Sequence, residues 1–281
     1  MESIAETSSF KVSSWSSAHT LLVTDKNGKE LVQLKTTDND NKVDVKTHGD
    51  CCVYVEQCAS SGLKVEHRMS AEHWYGGPQY YTARWPIEKE AIKQQPYVSD
   101  DLLLHPTRFG SILEKYWLSS TGIAIFFTTD DADLSYGVEG NSIILSSDNK
   151  LRYTICKAGS TLKDTHQYVI KHHFPKPAGL PDLDMFKKPI WSTWARYKIK
   201  ISHDVVLQFA KEIQEHGFGH SQIEIDDTYT TNYGDMMIDT NRFPKMEEML
   251  QELKKMGFRV TSWIHPFANY DTAAFQVRSV V

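Results

Sequence analysis

A regular alternation of short apolar runs and amphipathic segments fills residues 189–269, and it limits the fold more than any other feature of the chain. The apolar runs lie at residues 189–195, 223–226 and 258–264. Between them, residues 205–216 and 246–256 carry apolar side chains at helical spacing, and Gly217 and Gly257 follow as stop signals. This order of strand, helix, strand, helix and strand predicts the beginning of a parallel α/β sheet whose first strand, 189–195, is buried.

Local signals mark the ends of both predicted helices. Ser202 can cap the first helix, and Pro244 opens the second. The second helix has two glutamates in its first turn and two lysines in its last. Negative charge at the N-terminus and positive charge at the C-terminus both interact favourably with the helix dipole. Both segments are therefore predicted to be amphipathic helices that cover the sheet.

Polar and aromatic side chains follow each predicted strand at the point where it ends. They are Trp194 after the first strand, Asp226 and Asp227 after the second, and Trp263 and His265 after the third. In α/β barrels the substrate site lies at the carboxyl ends of the strands. Aromatic rings can cover the CH face of a sugar, and carboxylates accept hydrogen bonds from its hydroxyls, so we predict a carbohydrate-binding site here. Each tryptophan taken alone is more simply a core residue, whereas two adjacent carboxylates are out of place in a buried parallel strand.

Several separated motifs between about residue 50 and about residue 275 carry a family resemblance. They are HWYGG at 73–77, YWLSS at 116–120, HFPKP at 173–177, PIWSTWA at 189–195, EIDD at 224–227, YGD at 233–235, FP at 243–244, GFRVT at 257–261 and HPF at 265–267. Together they resemble glycoside hydrolase family 31, and within it the myogenesis-regulating glycosidase subgroup. The resemblance implies retaining hydrolysis of an O-glycosyl bond. The subgroup points to an α-galactoside, and the wider family to an α-glucoside.

The same resemblance separates sugar binding from catalysis. It implies that the position matching Asp226 binds a sugar hydroxyl, that the nucleophile is an aspartate on the fourth barrel strand, and that the acid/base follows the sixth strand. Consecutive residues of an extended segment point to opposite sides, so Asp226 and Asp227 should not flank one bond as a catalytic pair must. No position of the chain matches either catalytic motif. We therefore predict no catalytic residue before Val281: compared with its family the chain is C-terminally truncated, and it is inactive alone.

Short alternating apolar runs separated by turn residues fill most of residues 10–174, and they predict an antiparallel β-sandwich. Asn27-Gly28 between two such runs predicts a hairpin. A short helix is expected at 164–173, before a proline-rich linker. We predict an N-terminal β-sandwich domain at 1–180. Residues 181–281 then form the N-terminal portion of a (β/α)8 barrel, an incomplete one with about three strands.

Composition excludes several classes of function. The net charge of −5 comes with dispersed lysines and arginines, so nothing favours nucleic acid or an anionic membrane as a partner. No stretch approaches the ~20 apolar residues of a membrane span. The N-terminal segment is rich in serine and acidic residues, and it lacks the basic start and the apolar run of a signal peptide. Family relatives are often membrane-anchored or in the secretory pathway, so the compartment stays open. No nucleotide-binding motif follows a strand, and no cofactor is expected.

The four cysteines, Cys51, Cys52, Cys58 and Cys156, lack zinc-site spacing, and the histidines lack it as well, so no metal site is predicted. We expect free thiols in strands, and a disulfide from Cys156 to one of the other three stays open. Two alternatives to an enzyme also stay open: a non-catalytic carbohydrate-binding module and a regulatory, truncated isoform. The bare edge of the third barrel strand would allow self-association.

Overall fold

The structure is a computed structural model, and it describes residues 2–15, 20–36, 42–60, 62–69, 72–127 and 133–278. The chain divides into two compact units, Met1–Lys176 and Pro177–Val281. The division lies four residues before the boundary expected after residue 180 and falls inside the predicted proline-rich linker.

The first unit consists of two antiparallel sheets and one long helix. Its elements are β1 (Glu2–Glu6), β2 (Phe10–Trp15), β3 (Thr20–Asp25), β4 (Glu30–Thr36), β5 (Lys42–His48), β6 (Cys52–Cys58), β7 (Leu63–Arg68), β8 (Trp74–Tyr80), β9 (Ile92–Pro96), β10 (Phe109–Ser119), β11 (Ala124–Phe126), β12 (Ser135–Glu139), β13 (Ser142–Ser147), β14 (Lys150–Cys156) and α1 (Leu162–His173). The eight-stranded sheet has the order β1-β2-β3-β4-β7-β13-β12-β9, and the six-stranded sheet has the order β5-β6-β14-β11-β10-β8. The predicted antiparallel β structure is confirmed, with the Asn27-Gly28 turn joining β3 to β4.

Apolar side chains from both sheets fill one shared core. Val23 and Tyr136 come from the eight-stranded sheet, Val55 and Trp117 come from the six-stranded sheet, and all four are buried. The Trp117 and Tyr136 rings stack with their centroids 5.4 Å apart. Along the strands buried residues alternate with half-buried or exposed ones, as in β7, so each strand gives one face to the core. This packing of two sheets on one core makes the unit a β-sandwich.

One titratable side chain lies inside this core. His67 is on the inward face of β7 beside Leu63 and Val65, and neither ring nitrogen has a hydrogen-bond partner among the described residues. Its ring meets Tyr153 edge-on at 5.6 Å. Burial lowers the pKa of His67 to about 3, because the protonated ring would lose its hydration without gaining a partner.

The buried histidine predicts a dependence of stability on pH. In the unfolded chain a histidine takes up a proton near pH 6.5, whereas folded His67 stays neutral down to about pH 3. The unfolded state therefore binds more protons between these values, and the free energy of unfolding falls as pH drops. Between pH 8 and pH 5 the loss should be about 2 kcal/mol.

Urea-dependent hydrogen exchange of β7 and β13 peptides measures this free energy for the first unit alone. His67→Leu should remove the contribution and raise stability at pH 5, while the exposed His172→Leu in the same unit should keep the wild-type pH dependence. An unchanged pH dependence in His67→Leu would contradict the assignment.

Helix α1 covers part of the outer face of the six-stranded sheet. Val169 of α1 packs with Leu118, Ala124 and Phe126 of β10 and β11. Thr161 caps the helix in a capping box with Asp164, so the helix begins two residues before the predicted segment 164–173. The prediction of a helix here is confirmed.

Beneath α1 the expectation of four free thiols is wrong for two of them. The pairing of β6 with β14 sets Cys52 directly opposite Cys156, with their Cα atoms 4.1 Å apart, and the two form a disulfide. Side chains alternate along a strand edge, so only one of the adjacent cysteines at 51 and 52 can face Cys156. Cys51 and Cys58 are free.

The second unit contains a parallel sheet in the order β15-β16-β17. Its elements are α2 (Asp184–Lys187), β15 (Ile190–Ser192), α3 (Thr193–Tyr197), α4 (His203–Glu215), β16 (Gln222–Ile225), α5 (Met246–Lys255), β17 (Arg259–Ser262) and α6 (Ala273–Arg278). The strand predicted over residues 189–195 is wrong in its second half. The Ser192 hydroxyl accepts a hydrogen bond from the Trp194 N–H and so caps α3, which ends the strand. Ile190 is 46% exposed, so β15 is also less buried than expected.

Helices α4 and α5 share one core with the sheet. Phe209 and Ile213 of α4, Leu253 of α5, and Ile223 and Ile225 of β16 belong to a single buried cluster. The two predicted amphipathic helices are confirmed, and Ser202 caps α4 through the Val205 N–H as expected. Among the described residues β17 pairs only with β16, so the sheet has three strands and does not close into a barrel.

None of the helices in the described part of the chain is both long enough and apolar enough to span a membrane.

Candidate functional site

The carboxyl ends of the three parallel strands lie side by side. Ser192 ends β15 and Thr193 follows it, Asp226 follows β16, and Trp263 follows β17. The Asp226 N–H donates to the buried Thr193 hydroxyl at 3.0 Å, and the Trp263 N–H donates to the Ile225 carbonyl at 2.9 Å. Both bonds hold the peptide group between Ile225 and Asp226, so the backbone just before the aspartate pair is tied to both neighbouring strand ends.

The Asp226 carboxylate faces the β15 side of this edge. Its Oδ2 accepts from the Ser192 hydroxyl at 3.4 Å, and its Oδ1 accepts from the Asp227 N–H at 2.7 Å. Glu224, two residues earlier, shares this face of β16. Burial raises the pKa of the Glu224 carboxyl, and the nearby charge of Asp226 raises it further, against a hydrogen bond from Ser192. Glu224 and Ser192 were not predicted as site residues, although the spacing of two between Glu224 and Asp226 could have indicated the first.

The Asp227 carboxylate contacts a different group. Its Oδ2 accepts from the Tyr233 hydroxyl at 2.8 Å, while its Oδ1 is buried and accepts no hydrogen bond from the described residues. Burial, followed by the hydrogen bond to Asp227 and then by its charge, raises the pKa of Tyr233 to about 12, so the phenol stays protonated as a donor. The two adjacent carboxylates therefore serve separate neighbours, Ser192 and Tyr233.

A cluster of rings lies beside Asp227. Tyr233 stacks on His265 with ring centroids 4.8 Å apart, and Trp263 meets the two rings edge-on at 5.7 and 5.4 Å. Tyr233, Trp263 and His265 line a small pocket together with Tyr229 and Met236. Of the predicted aromatic site residues, Trp263 and His265 are thus joined to Asp227 through Tyr233, which was not predicted as a site residue.

The loop between β16 and α5 positions Tyr233. The Tyr229 hydroxyl donates to the Trp263 carbonyl at 2.9 Å, and the Asn269 N–H donates to the Tyr233 carbonyl at 3.0 Å. Gly234 has φ +102°, and a Cβ there would lie 2.6 Å from Ala268, so only glycine lets the two loops approach this closely. The YGD motif therefore has a structural role, which is to hold the loop that carries Tyr233 against the segment around Ala268.

Trp194 lies apart from the ring cluster. It follows β15 within α3, is 39% exposed, and has the Lys198 ammonium 4.9 Å from its ring centre. No ring contact links Trp194 to Trp263 or His265 in the part of the chain that the structure describes. The edge thus joins four of the five predicted residues in one continuous set of contacts, and Trp194 contributes a separate exposed ring.

Residues 188–279 match the model of the glycosyl hydrolases family 31 TIM-barrel domain. The chain is also 37% identical over 241 residues to the myogenesis-regulating glycosidase of Mus musculus, an alignment covering 77% of this chain and 33% of the mouse protein. Residues 188–279 therefore belong to glycoside hydrolase family 31. The family resemblance of the separated motifs is thereby confirmed, and the chain spans about a third of the length of the curated relatives it matches.

Solved structures agree with the family 31 fold. A GH31 α-xylosidase from a soil metagenome, complexed with xylose, has a TM-score of 0.60 at 18% identity and matches 98% of this chain and 42% of its own. A xylosidase from Aspergillus niger has a TM-score of 0.63 at 15% identity and matches 96% of this chain and 36% of its own. At these identities the likeness shows the fold, which in both cases includes the β-rich first unit and the barrel strands of the second.

Proposed function

We propose that the carboxyl ends of β15, β16 and β17 form the sugar-binding part of a glycoside hydrolase site. One observation carries this proposal: Glu224, Asp226 and Asp227 lie within four residues of one another at a strand end, and none of them has an ion pair among the described residues. Clustered carboxylates without a cation are costly unless donors reach them, and sugar hydroxyls are such donors.

The neighbouring rings supply the second half of sugar recognition. Tyr233, Trp263 and His265 form a joined aromatic surface next to Asp227, and Trp194 offers an exposed ring after β15. Rings of this kind pack on the apolar CH face of a pyranose while carboxylates bind its hydroxyls. The substrate class is an α-galactoside or an α-glucoside, and Asp226 is the principal hydroxyl acceptor, with Asp227 second.

Binding by this edge does not by itself amount to hydrolysis. A retaining glycosidase needs two carboxyl groups about 5–5.5 Å apart on opposite sides of the bond that breaks. Glu224 and Asp226 interact with each other directly on one strand, and Asp227 is held by Tyr233. Glu224 and Asp226 therefore share one face of β16 and do not lie on opposite sides of a substrate. Polypeptide 1–281 alone therefore binds the sugar and does not cleave it.

The test uses purified polypeptide 1–281 with aryl α-galactoside and aryl α-glucoside. Ligand-observed NMR should show transfer of magnetisation from the protein to one of the two sugars, while release of the aryl group stays at the buffer rate. Turnover that disappears in Asp226→Asn or Asp227→Asn would refute the claim that this edge only binds. Turnover that survives both substitutions would indicate a contaminating enzyme.

One observation favours the second candidate, a regulatory chain that associates with other barrel segments. The outer edge of β17 pairs with no strand among the described residues, and an unpaired edge is a template for strand addition. Sedimentation velocity across a range of concentrations should then show self-association. Replacing the exposed Ser262 in β17 by proline should abolish the association. Arg259 and Trp263 donate their N–H groups to the β16 side, so the alternate Ser262 N–H points to the unpaired edge, and proline cannot donate to a strand ladder.

A further inference from the structure

A second cluster of reactive side chains lies in the first unit, on the outer face of the six-stranded sheet. His48, Cys52 and Cys156 are direct neighbours across β5, β6 and β14, since the strand pairing sets His48 opposite Cys52 and Cys52 opposite Cys156. Directly opposed residues project from the same face of a sheet. His173, the last residue of α1, lies over this face.

The distances place His173 within reach of both sulfur atoms. Its Nε2 lies 3.5 Å from Cys52 Sγ and 4.0 Å from Cys156 Sγ, and its ring centre lies 5.2 Å from that of His48. Both cysteines are fully buried. The potential ligand atoms of Cys52, Cys156 and His173 all lie within 4.8 Å of one another.

We propose that Cys52, Cys156 and His173 form a redox-controlled site for a soft divalent cation of the zinc class, and that the exposed side chain of His48 turns in as the fourth ligand. In the oxidised form the two sulfurs are joined as a disulfide and hold no cation. An external dithiol breaks the S–S bond by thiol–disulfide exchange: it closes to its own cyclic disulfide, and its two protons end on the two protein thiols. A phosphine breaks the same bond with one water, which supplies the two protons and whose oxygen ends in the phosphine oxide. Cation binding then releases those two protons and leaves two thiolates and two neutral imidazoles around the metal.

The geometry of the folded unit favours this chemistry. In a tetrahedral zinc site with Zn–S near 2.3 Å and Zn–N near 2.0 Å, a sulfur and a nitrogen are about 3.5 Å apart. The observed distances from His173 to the two sulfurs are already close to this value. Reduction lets the sulfurs separate to about 3.8 Å, the spacing expected between two thiolate ligands.

The surroundings also suit a metal of this class. Leu118, Ala124, Phe126 and Val169 pack around the two cysteines, so an unbalanced charge would be costly there. Two thiolates neutralise a divalent cation, and the complex carries no net charge. Thiolate ligands select zinc-class ions over magnesium and calcium, which prefer oxygen ligands.

Cobalt(II) is the probe, because tetrahedral cobalt with thiolate ligands absorbs in the visible range. The test uses the full chain with Cys51→Ser and Cys58→Ser, which removes the two free thiols. After reduction with a phosphine and removal of the reagent, we expect one equivalent of cobalt to bind with a thiolate-to-cobalt charge-transfer band. The oxidised protein should bind none. His173→Ala should weaken binding at least about tenfold, whereas the exposed neighbour His172→Ala should not.

Cobalt binding without the thiolate band, or equal affinity in His173→Ala, would overturn the proposal. Circular dichroism recorded in parallel covers the case in which reduction unfolds the unit. Zinc should then restore the fold of the reduced parent protein and not that of His173→Ala, because binding and folding are coupled. A reduced protein that zinc neither binds nor refolds would also overturn it.

Discussion

Gly76→Ala should destabilise the first unit by about 3–5 kcal/mol. Gly76 lies on β8 opposite Trp117 of β10 with φ +100°, a conformation that side-chain-bearing residues rarely adopt. A Cβ at this position would lie 2.2 Å from the Tyr116 carbonyl oxygen, which is backbone and cannot rotate away. The two strands would have to separate in the sheet that carries Trp74 and Trp117. Urea-dependent hydrogen exchange of β8 and β10 peptides measures the effect.

Gly28→Ala is the matched control for this substitution. Gly28 also has a positive φ, +81°, but a Cβ there would meet no atom within 4 Å. Its cost should therefore be the conformational cost alone, about 1–2 kcal/mol. The difference between the two variants isolates the contact with the backbone of β10, and equal losses of stability would show that this contact is not what requires glycine at position 76.

Asp226→Asn should weaken binding of the preferred sugar to polypeptide 1–281 roughly 10- to 160-fold, the loss expected for a hydrogen bond to a charged acceptor. The substitution keeps the shape of the side chain, and the asparagine oxygen can still accept from the Asp227 N–H. The fold of the strand end should therefore survive. Asp227→Asn should cost less, because Tyr233 already occupies one of its oxygens.

Titration by ligand-observed NMR gives the affinities of these variants. Asp271→Asn serves as the control, since Asp271 is an exposed aspartate of the same unit outside the candidate site. Sugar affinity in Asp226→Asn that equals the control would remove Asp226 from the site, and the same result for both aspartates would remove the whole edge. Hydrogen exchange of β16 peptides establishes that each variant is folded.

In the second unit, short-range sequence patterns predict some elements and positions correctly and others not. Helices α4 and α5 could be predicted because their caps and their apolar spacing are encoded within each segment. The strand before α3 was predicted too long, because Ser192 forms a side-chain cap that competes with strand continuation. The positions of Asp226 and Asp227 at a strand end could be predicted, since parallel strands bring their carboxyl ends to one edge.

The partners of those aspartates depended on contacts between distant segments. Tyr233 reaches Asp227 only because Gly234 packs against Ala268, and Ser192 reaches Asp226 only because β15 and β16 are neighbours. Neither contact can be predicted from the residues next to it in the sequence. The sequence had placed Tyr233 in a motif without showing which group its hydroxyl would meet.

By itself the sequence determined the two βα units, the antiparallel character of the first unit and the resemblance to glycoside hydrolase family 31. Each of these rests on local spacing or on motifs that are contiguous in the chain. Only the tertiary structure decided that β7 lies between β4 and β13, that Cys52 is the partner of Cys156, and that His173 covers them both. The physical reason is that strand order and register are set by burial of whole sheet faces across long separations, which no short stretch of sequence encodes.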